Sequence, residues 1–191
     1  GQEALDGATT VHSCVAIGYD ALAATNTANS NVAIGRAAMG ANTGGSGVAL
    51  GAYALDAQTT GSSNTAIGYQ SLSSLTDADY NTACGHEAGE SLTTGDENTY
   101  LGFQAGQAAT TGTRNVCVGE GSGKTMTTGS NNVYVGSDAG AALNSSPAAN
   151  NTCMGSSAGR AITTGSQNVL IGEAAAVDCS TGDNNVCLGQ D

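Results

Sequence analysis

The chain has 191 residues, 29 of them glycine, with one proline, one phenylalanine and no tryptophan. Its formal net charge is −12, from 16 acidic residues against four lysines and arginines. Side chains this small do not fill the wide core of an ordinary globular domain, although they suit a thin core repeated many times. The scarcity of cations excludes binding to nucleic-acid phosphates, and the apolar runs are too short for a membrane-inserted helix.

A repeat of 17 residues runs through almost the whole chain. The segments NTYLGFQAGQAATTGTR and NVCVGEGSGKTMTTGSN show its plan: asparagine, a short apolar run, glycine, small residues, Thr-Thr-Gly and polar residues. Eleven units can be aligned, and they open at Cys14, Asn31, Gly47, Asn64, Asn81, Asn98, Asn115, Asn132, Asn151, Asn168 and Asn185. Self-similarity at a fixed period is typical of a solenoid.

Each unit is numbered here from its opening residue. Position two is Val or Thr, position four is apolar, and position five is glycine in every unit. This alternation predicts a short strand ended by a glycine turn, and the recurrent Thr-Thr-Gly predicts a second strand at positions eleven to fourteen. Since 17 residues are too few for a strand and a helix with two connections, we predict an all-β fold, a parallel β-solenoid or β-roll of about eleven 17-residue coils.

The domain boundaries follow from the repeat. Residues 14–191 are predicted to form the β-solenoid domain, whose C-terminal coil is incomplete. Residues 1–13 are predicted to be an N-terminal cap or a segment that joins two subunits.

The same pattern predicts a core and a covered face. Positions two, four, eight and twelve are predicted to fill the core, with Cys84 as a buried thiol, while position three points outward. Because position three is alanine, tyrosine, cysteine or leucine, we expect a partner to cover it, which argues for an oligomer. The asparagines of position one are predicted to form a hydrogen-bonded ladder: Asn31, Asn64, Asn81, Asn98, Asn115, Asn132, Asn151, Asn168 and Asn185.

Six cysteines favour an oxidising, extracellular setting. Cys117, Cys153 and Cys187 occupy position three of alternate coils, about 9.6 Å apart, which is too far for a disulfide within one chain. We therefore predict disulfides between chains for these three, and further bonds between coils or chains for Cys14 and Cys179. Asn144 and Asn150 begin Asn-x-Ser/Thr sequences and are predicted to be exposed N-glycosylation sites in a glycosylating host.

No catalytic or cofactor site is predicted. The histidines and cysteines lack zinc-site spacing, and residues 120–124 lack the spacing of a phosphate-binding loop. No nucleophile, base and orienting group can be assembled, so we predict that the chain is not an enzyme. Acidic residues at adjacent turns leave a loosely held Ca²⁺ as an alternative to a solvated turn: Asp77, Asp79, Asp96 and Glu97.

The segments NVAIGRAAMG, NTAIGYQSL and NVLIGEAAA resemble the NxAIG-type head repeats of trimeric autotransporter adhesins. Units that carry TTG before the next asparagine are similar to repeats in tail-fibre and other surface-fibre proteins of phages and large viruses. The resemblance covers nearly the whole chain, from Cys14 to Asp191. It implies a left-handed parallel β-roll, three chains about one axis and an extracellular, cell-surface or virion location. The coil of this chain is longer than in the adhesin heads, and cysteines are unusual in such repeats.

Three functions are consistent with these observations. The first is a non-enzymatic extracellular fibre or adhesin segment that acts by its rod shape and by multivalent display towards surface glycans or a receptor. The second is a self-polymerising filament, in which residues 1–13 of one subunit complete the C-terminal half-coil of the next. The third is ice binding through the threonine ladders. In each of the first two the chain partners with itself.

Overall fold

The computed structural model describes residues 1–8, 10–24, 29–142, 148–178 and 180–190. It is all β, with one three-residue strand in each coil: β1 (Val15–Ile17), β2 (Val32–Ile34), β3 (Val48–Leu50), β4 (Thr65–Ile67), β5 (Thr82–Cys84), β6 (Thr99–Leu101), β7 (Val116–Val118), β8 (Val133–Val135), β9 (Thr152–Met154), β10 (Val169–Ile171) and β11 (Val186–Leu188). These strands form a single parallel sheet in chain order. Val15 pairs with Val32 and Val169 with Val186, so each strand lies in register on the same positions of its neighbour. The predicted parallel β-solenoid is confirmed.

The predicted second strand is absent from the described coils. Position thirteen does bond to the next coil, since the Thr59 N–H donates to the Thr76 carbonyl (2.8 Å) and the Thr93 N–H to the Thr110 carbonyl (2.9 Å). However, residues at positions nine and seventeen, such as Leu72 (φ 51°) and Arg114 (φ 56°), are left-handed. These residues turn the chain before and after position thirteen, so the contact stays local and no strand forms.

The glycine of position five sets how closely the coils stack. Its φ lies between 126° and 149° in all eleven coils, a conformation that side chains with a Cβ rarely adopt. A Cβ on Gly102 would lie 2.5 Å from the carbonyl oxygen of Gly119 in the next coil. Glycine is therefore needed here both for the backbone angle and for the close approach of the next coil.

The side of each strand that faces the core is the opposite of the predicted side. Position three is buried, as in Ala33, Tyr100 and Leu170, all 0% exposed. Positions two and four point outward, as in Ile17 (56% exposed) and Leu101 (46% exposed). The prediction that they fill the core was wrong because only one row of strand side chains fits inside so thin a roll. Positions eight and twelve do lie in the core, as predicted.

Positions three and nine share one space inside the roll. In early coils a small residue at position three faces a large one at position nine, as with Ala66 and Leu72. In later coils the sizes are exchanged: Tyr100 is followed by Gly106, and a Cβ on Gly106 would lie 2.5 Å from the Tyr100 ring. Between these two sets of coils both positions are small, Ala83 and Gly89, and side chains of the neighbouring coils fill the space: a Cβ on Gly89 would lie 2.7 Å from Tyr100 and 2.8 Å from Leu72. The core therefore stays filled along the chain.

Residues 1–8 and 10–13 continue the path of the repeat beside the first coil. The Leu5 N–H donates to the Ala21 carbonyl (3.0 Å), and the Ser30 N–H donates to the His12 carbonyl (3.0 Å). Residues 1–8 and 10–13 thus follow positions five to twelve and fourteen to seventeen of a coil and hydrogen-bond in the same register as the repeat.

Candidate functional site

The outward surface of the sheet is the largest uniform feature of the molecule. It is built from positions two and four of the eleven strands and is called the sheet face below. Its side chains are Val15, Ile17, Val32, Ile34, Val48, Leu50, Thr65, Ile67, Thr82, Cys84, Thr99, Leu101, Val116, Val118, Val133, Val135, Thr152, Met154, Val169, Ile171, Val186 and Leu188. None of them is charged and none is fully buried. Leu50, Leu101 and Met154 are 43%, 46% and 42% exposed.

Aromatic side chains at position six widen the sheet face along its middle coils. The rings of Tyr69 and His86 stack with centroids 5.1 Å apart, and those of His86 and Phe103 lie 5.5 Å apart. Tyr53 meets Tyr69 edge-on at 6.0 Å, and the Arg36 guanidinium lies 5.6 Å from the centre of the Tyr53 ring. Because Tyr69, His86 and Phe103 stack on one another, their edges rather than their faces are open to the outside. The row extends an apolar surface and does not form a platform for a stacked sugar ring.

Charged side chains lie beside the sheet face at positions seven and ten, and glutamine side chains connect them. Gln104 Nε2 donates to Glu87 Oε2 (2.6 Å), and Gln107 Nε2 donates to the same oxygen (2.9 Å). Lys124 Nζ donates to Gln104 Oε1 (2.6 Å). This network engages Glu87 and Lys124 beside the middle of the sheet face. The charged residues of position six lie outside it: Arg36, Glu120 and Glu173.

The acidic turns serve as backbone acceptors. Asp79 Oδ1 accepts from the Ser62 N–H (2.7 Å), and Asp96 Oδ1 accepts from the Asp79 N–H (2.8 Å). Within the described part of the chain, no group of three or more His, Cys, Asp or Glu side chains converges on a metal position. Asp79 and Asp96 each use one carboxylate oxygen to hold successive coils together.

The asparagines of position one form a ladder inside the roll. Asn115 Nδ2 donates to Asn98 Oδ1 (3.1 Å) and to the Gly129 carbonyl (2.8 Å). Asn115 Oδ1 accepts from the backbone N–H (3.0 Å) and from Nδ2 (3.1 Å) of Asn132. The ladder residues from Asn31 to Asn168 are at most 1% exposed, whereas Asn185 in the last coil is exposed. Buried amides with every donor and acceptor used hold the coils in register, and they are closed to a ligand.

The ladder is interrupted at Gly47, and two residues that the sequence analysis missed carry it past the gap. Asn64 Nδ2 donates to Gln58 Oε1 (3.1 Å), and Gln58 Nε2 donates to Asn42 Oδ1 (3.0 Å). Asn42 Nδ2 then donates to the Gly44 carbonyl (3.0 Å), which Asn31 Nδ2 also reaches (3.0 Å). Both missed residues occupy position twelve and are 0% exposed. Their signal was visible, because position twelve is polar in the coils on either side of the Gly47 opening and apolar in the other described coils.

The cysteines lie elsewhere than predicted. No disulfide joins the five that the structure describes, and Cys179 falls outside the described residues. Cys117 and Cys153 are 0% exposed inside the roll, so disulfides between chains through them are wrong: position three faces the core. Cys14 and Cys187 are half-buried and pack against the core in the first and last coils. Cys84, predicted to be buried, lies half-exposed on the sheet face.

Burial changes the acidity of the groups at position three. It raises the pKa of the Cys153 thiol to about 12 and raises the pKa of the Cys117 thiol further. It also raises the pKa of the Tyr100 and Tyr134 hydroxyls well above their usual range. These groups stay neutral in the folded chain at pH values where they ionise in the unfolded chain.

We expect the solenoid to lose stability as the solution becomes alkaline. Above about pH 8.5 the unfolded chain releases the protons of Cys117 and Cys153, whereas the folded chain keeps them, so ionisation stabilises the unfolded state. At pH 9.5 the two thiols together should lower the free energy of unfolding by about 3 kcal/mol relative to pH 7.5. Urea unfolding under reducing conditions measures the difference. In a variant with Cys117→Ala and Cys153→Ala the pH dependence should largely disappear; an unchanged dependence would refute the assignment.

One predicted glycosylation site and the threonine ladders lie on different parts of the solenoid surface. Asn150 is exposed at the turn before β9, and Asn144 falls outside the described residues. Threonines of position thirteen donate their hydroxyl to the next coil, as Thr93 Oγ1 does to the Thr110 carbonyl (2.9 Å) and Thr110 Oγ1 to the Thr127 carbonyl (3.0 Å). Thr127 is an exception, since its hydroxyl is buried without a partner. Thr94 and Thr111, one position further, are exposed and form a row of threonines that faces water.

Comparisons with known proteins found no counterpart: no protein-family model, no curated protein and no solved structure matches the chain. Among the described residues there is also no helix with the length and apolar character needed to cross a membrane.

Proposed function

We propose that the chain is a non-enzymatic structural segment of an extracellular fibre, and that its sheet face packs against the sheet faces of further copies of the chain. The observation that supports this is the uncharged sheet face, which is apolar from β1 to β11 apart from its threonines. Exposed apolar patches of this extent mark interaction sites. Since the chain carries a net charge of −12, the sheet face is also the side on which two copies can approach with the least repulsion.

The size of the sheet face agrees with a stable interface. Eleven strands at about 4.8 Å make it roughly 50 Å long, and positions two to four make it roughly 10 Å wide, or roughly 15 Å where position six carries an aromatic ring. The resulting area of roughly 500 to 750 Å² is at the lower end of the roughly 800 Å² per partner of a typical specific interface. A rotation axis parallel to the solenoid would place the same coil of every copy at the same level and bury the whole face. Three chains about such an axis is the arrangement that the fibre resemblance implies.

The remaining walls of the solenoid would then point outward and display their side chains at each coil. The exposed threonines, the Glu87–Gln104–Lys124 network and Asn150 lie on these walls. Repetition along a stiff rod favours multivalent contact with surface glycans or a receptor, which is the adhesin form of the proposal. Asn150 is the residue where we would look for an N-linked glycan if the source glycosylates its proteins.

A charge introduced at one central residue tests the interface. Wild-type chain should elute at a multiple of its 18.5 kDa mass when size-exclusion chromatography is coupled to light scattering. Leu101→Lys places a cation in the middle of the sheet face. Burying this cation against another copy without an opposite charge costs several kcal/mol, so the variant should be monomeric. Thr111→Lys adds the same charge on another wall and should leave the mass unchanged. A wild-type chain that is folded by circular dichroism but still monomeric at high concentration would contradict the proposal.

The self-polymerising filament is the second candidate. It is favoured by the register in which residues 1–8 hydrogen-bond to the first coil. Electron microscopy distinguishes the two, because side-by-side packing produces discrete short rods whereas end-to-end stacking produces long filaments. Filaments that persist after deletion of residues 1–13 would exclude assembly through that segment.

A further inference from the structure

Two metal-binding groups lie close together in the chain where β5 ends. Cys84 is the last residue of β5, at position four, and His86 follows at position six, after the turn at Gly85. The other residues at position four are aliphatic. Cys84 is paired in register with Ile67 and Leu101 on the two neighbouring strands. It is half-exposed, and the His86 side chain is 48% exposed. Both groups are therefore accessible from the side on which the proposed partner copy packs.

The neighbours of His86 hold its ring in place. The ring is stacked between Tyr69 and Phe103, at 5.1 and 5.5 Å. Its Nδ1 lies 3.6 Å from Glu87 Oε1, and Gln104 and Gln107 fix that carboxylate through its other oxygen. Metal-bound histidines commonly direct one ring nitrogen at a carboxylate while the other binds the metal. This arrangement makes Nε2 the nitrogen that is left for coordination.

We propose that Cys84 and His86 form half of a zinc site, which the same two residues of a second copy complete when sheet faces pack together. The proposal rests on the proposed function, and it requires that two copies face each other across a two-fold axis rather than that three copies surround one axis. Only Gly85 separates Cys84 from His86, so their Cα atoms lie within about 7 Å of each other, and facing sheets lie about 10 Å apart. An axis that passes beside Gly85 brings two thiols and two imidazoles around one point. Each thiol releases its proton to solvent on binding.

The ligand chemistry selects the metal. Two sulfur and two nitrogen donors are the set that holds structural Zn²⁺ in tetrahedral geometry, with bonds of about 2.3 and 2.0 Å. Ca²⁺ and Mg²⁺ prefer oxygen donors, which the sheet face lacks at these positions. A direct Cys84 disulfide between the two copies would use the same closeness of the thiols, and it would leave the fixed orientation of His86 without a role. The experiment below separates the two.

The test measures zinc uptake and mass together on the full chain. Protein kept reduced and stripped with a chelator is titrated with Zn²⁺, and bound metal is quantified while light scattering records the mass. We expect one tightly held Zn²⁺ ion for two chains, and a tetrahedral thiolate spectrum when Co²⁺ replaces it. Cys84→Ser and His86→Gln should each weaken zinc binding by at least about 100-fold. Cys187→Ser and His12→Gln remove groups of the same kind elsewhere and should leave zinc binding unchanged.

The possible failures are distinguishable. If the wild-type chain associates without taking up zinc, or if zinc binding survives both Cys84→Ser and His86→Gln, the zinc site is overturned while the proposed function stands. The same conclusion follows if removal of the reductant yields a Cys84 disulfide and zinc has no effect on the mass. If the wild-type chain is monomeric with and without Zn²⁺, both the zinc site and the proposed packing are overturned.

Discussion

Gly102→Ala should lower the free energy of unfolding of the central coils by about 4 kcal/mol. Two effects add. The residue has φ 138°, where an alanine costs about 1–3 kcal/mol, and its Cβ would lie 2.5 Å from the Gly119 carbonyl oxygen, so the next coil has to move. Because a solenoid can lose its coils regionally, hydrogen exchange of the amides of β5 to β7 is the appropriate measurement.

Gly189→Ala is the matched control for this substitution. Gly189 occupies the same position of its coil with φ 126°, but no atom lies within 4 Å of where its Cβ would be. It should therefore show only the cost of the backbone angle, about 2 kcal/mol or less. Equal costs at Gly102 and Gly189 would mean that the close approach of the coils contributes nothing, and a cost below about 1 kcal/mol at Gly102 would contradict both parts of the explanation.

Asn115→Ala should cost a similar amount by a different mechanism. The substitution removes both side-chain donors and the acceptor that bind four neighbouring groups in a site that is 0% exposed. The Asn132 N–H and the Gly129 carbonyl lose this partner, and a buried polar group left without a partner costs about 1–3 kcal/mol. We expect a total loss of about 4 kcal/mol, measured by urea unfolding and by faster hydrogen exchange in β6 to β8.

The exposed end of the ladder provides the comparison. Asn185 donates to Asn168 Oδ1 (3.0 Å) but lies in the last described coil, where water can replace the amide. Asn185→Ala should cost no more than about 1 kcal/mol. If Asn115→Ala proved equally mild, the ladder would be a consequence of coil stacking rather than a contributor to it.

Only part of the candidate interface was predictable. The sequence predicted that one apolar strand face would be covered by a partner, but it chose position three for that face. Positions two, three and four are all apolar or small in most units, so alternation indicated a strand and did not indicate which side was inside. The decision depends on positions eight and nine across the roll, because Leu72 or the pair of Tyr100 and Gly106 leave room for a single inward row.

The pair of Cys84 and His86 was missed for the same reason. Because position four was predicted to lie in the core, Cys84 was predicted to be a buried thiol, away from the exposed His86. Once position four is on the outside, the two residues lie on one surface, and the stacking of His86 between Tyr69 and Phe103 becomes visible. Those rings are separated by 17 residues in sequence, so only the stacking of coils brings them together.

The sequence by itself determined the period, the single strand that opens each coil, its parallel in-register stacking, the glycine turn and the asparagine ladder. Apart from the ladder, which Gly47 interrupts, these features repeat in every coil, and a repeat that contacts only its neighbours expresses each of them locally. The tertiary structure alone decided which strand face is inside, why positions three and nine exchange size, how Asn42 and Gln58 bypass Gly47, and why the predicted second strand is a turn. Each of these depends on volume or hydrogen bonding across the roll between coils, which no single repeat unit contains.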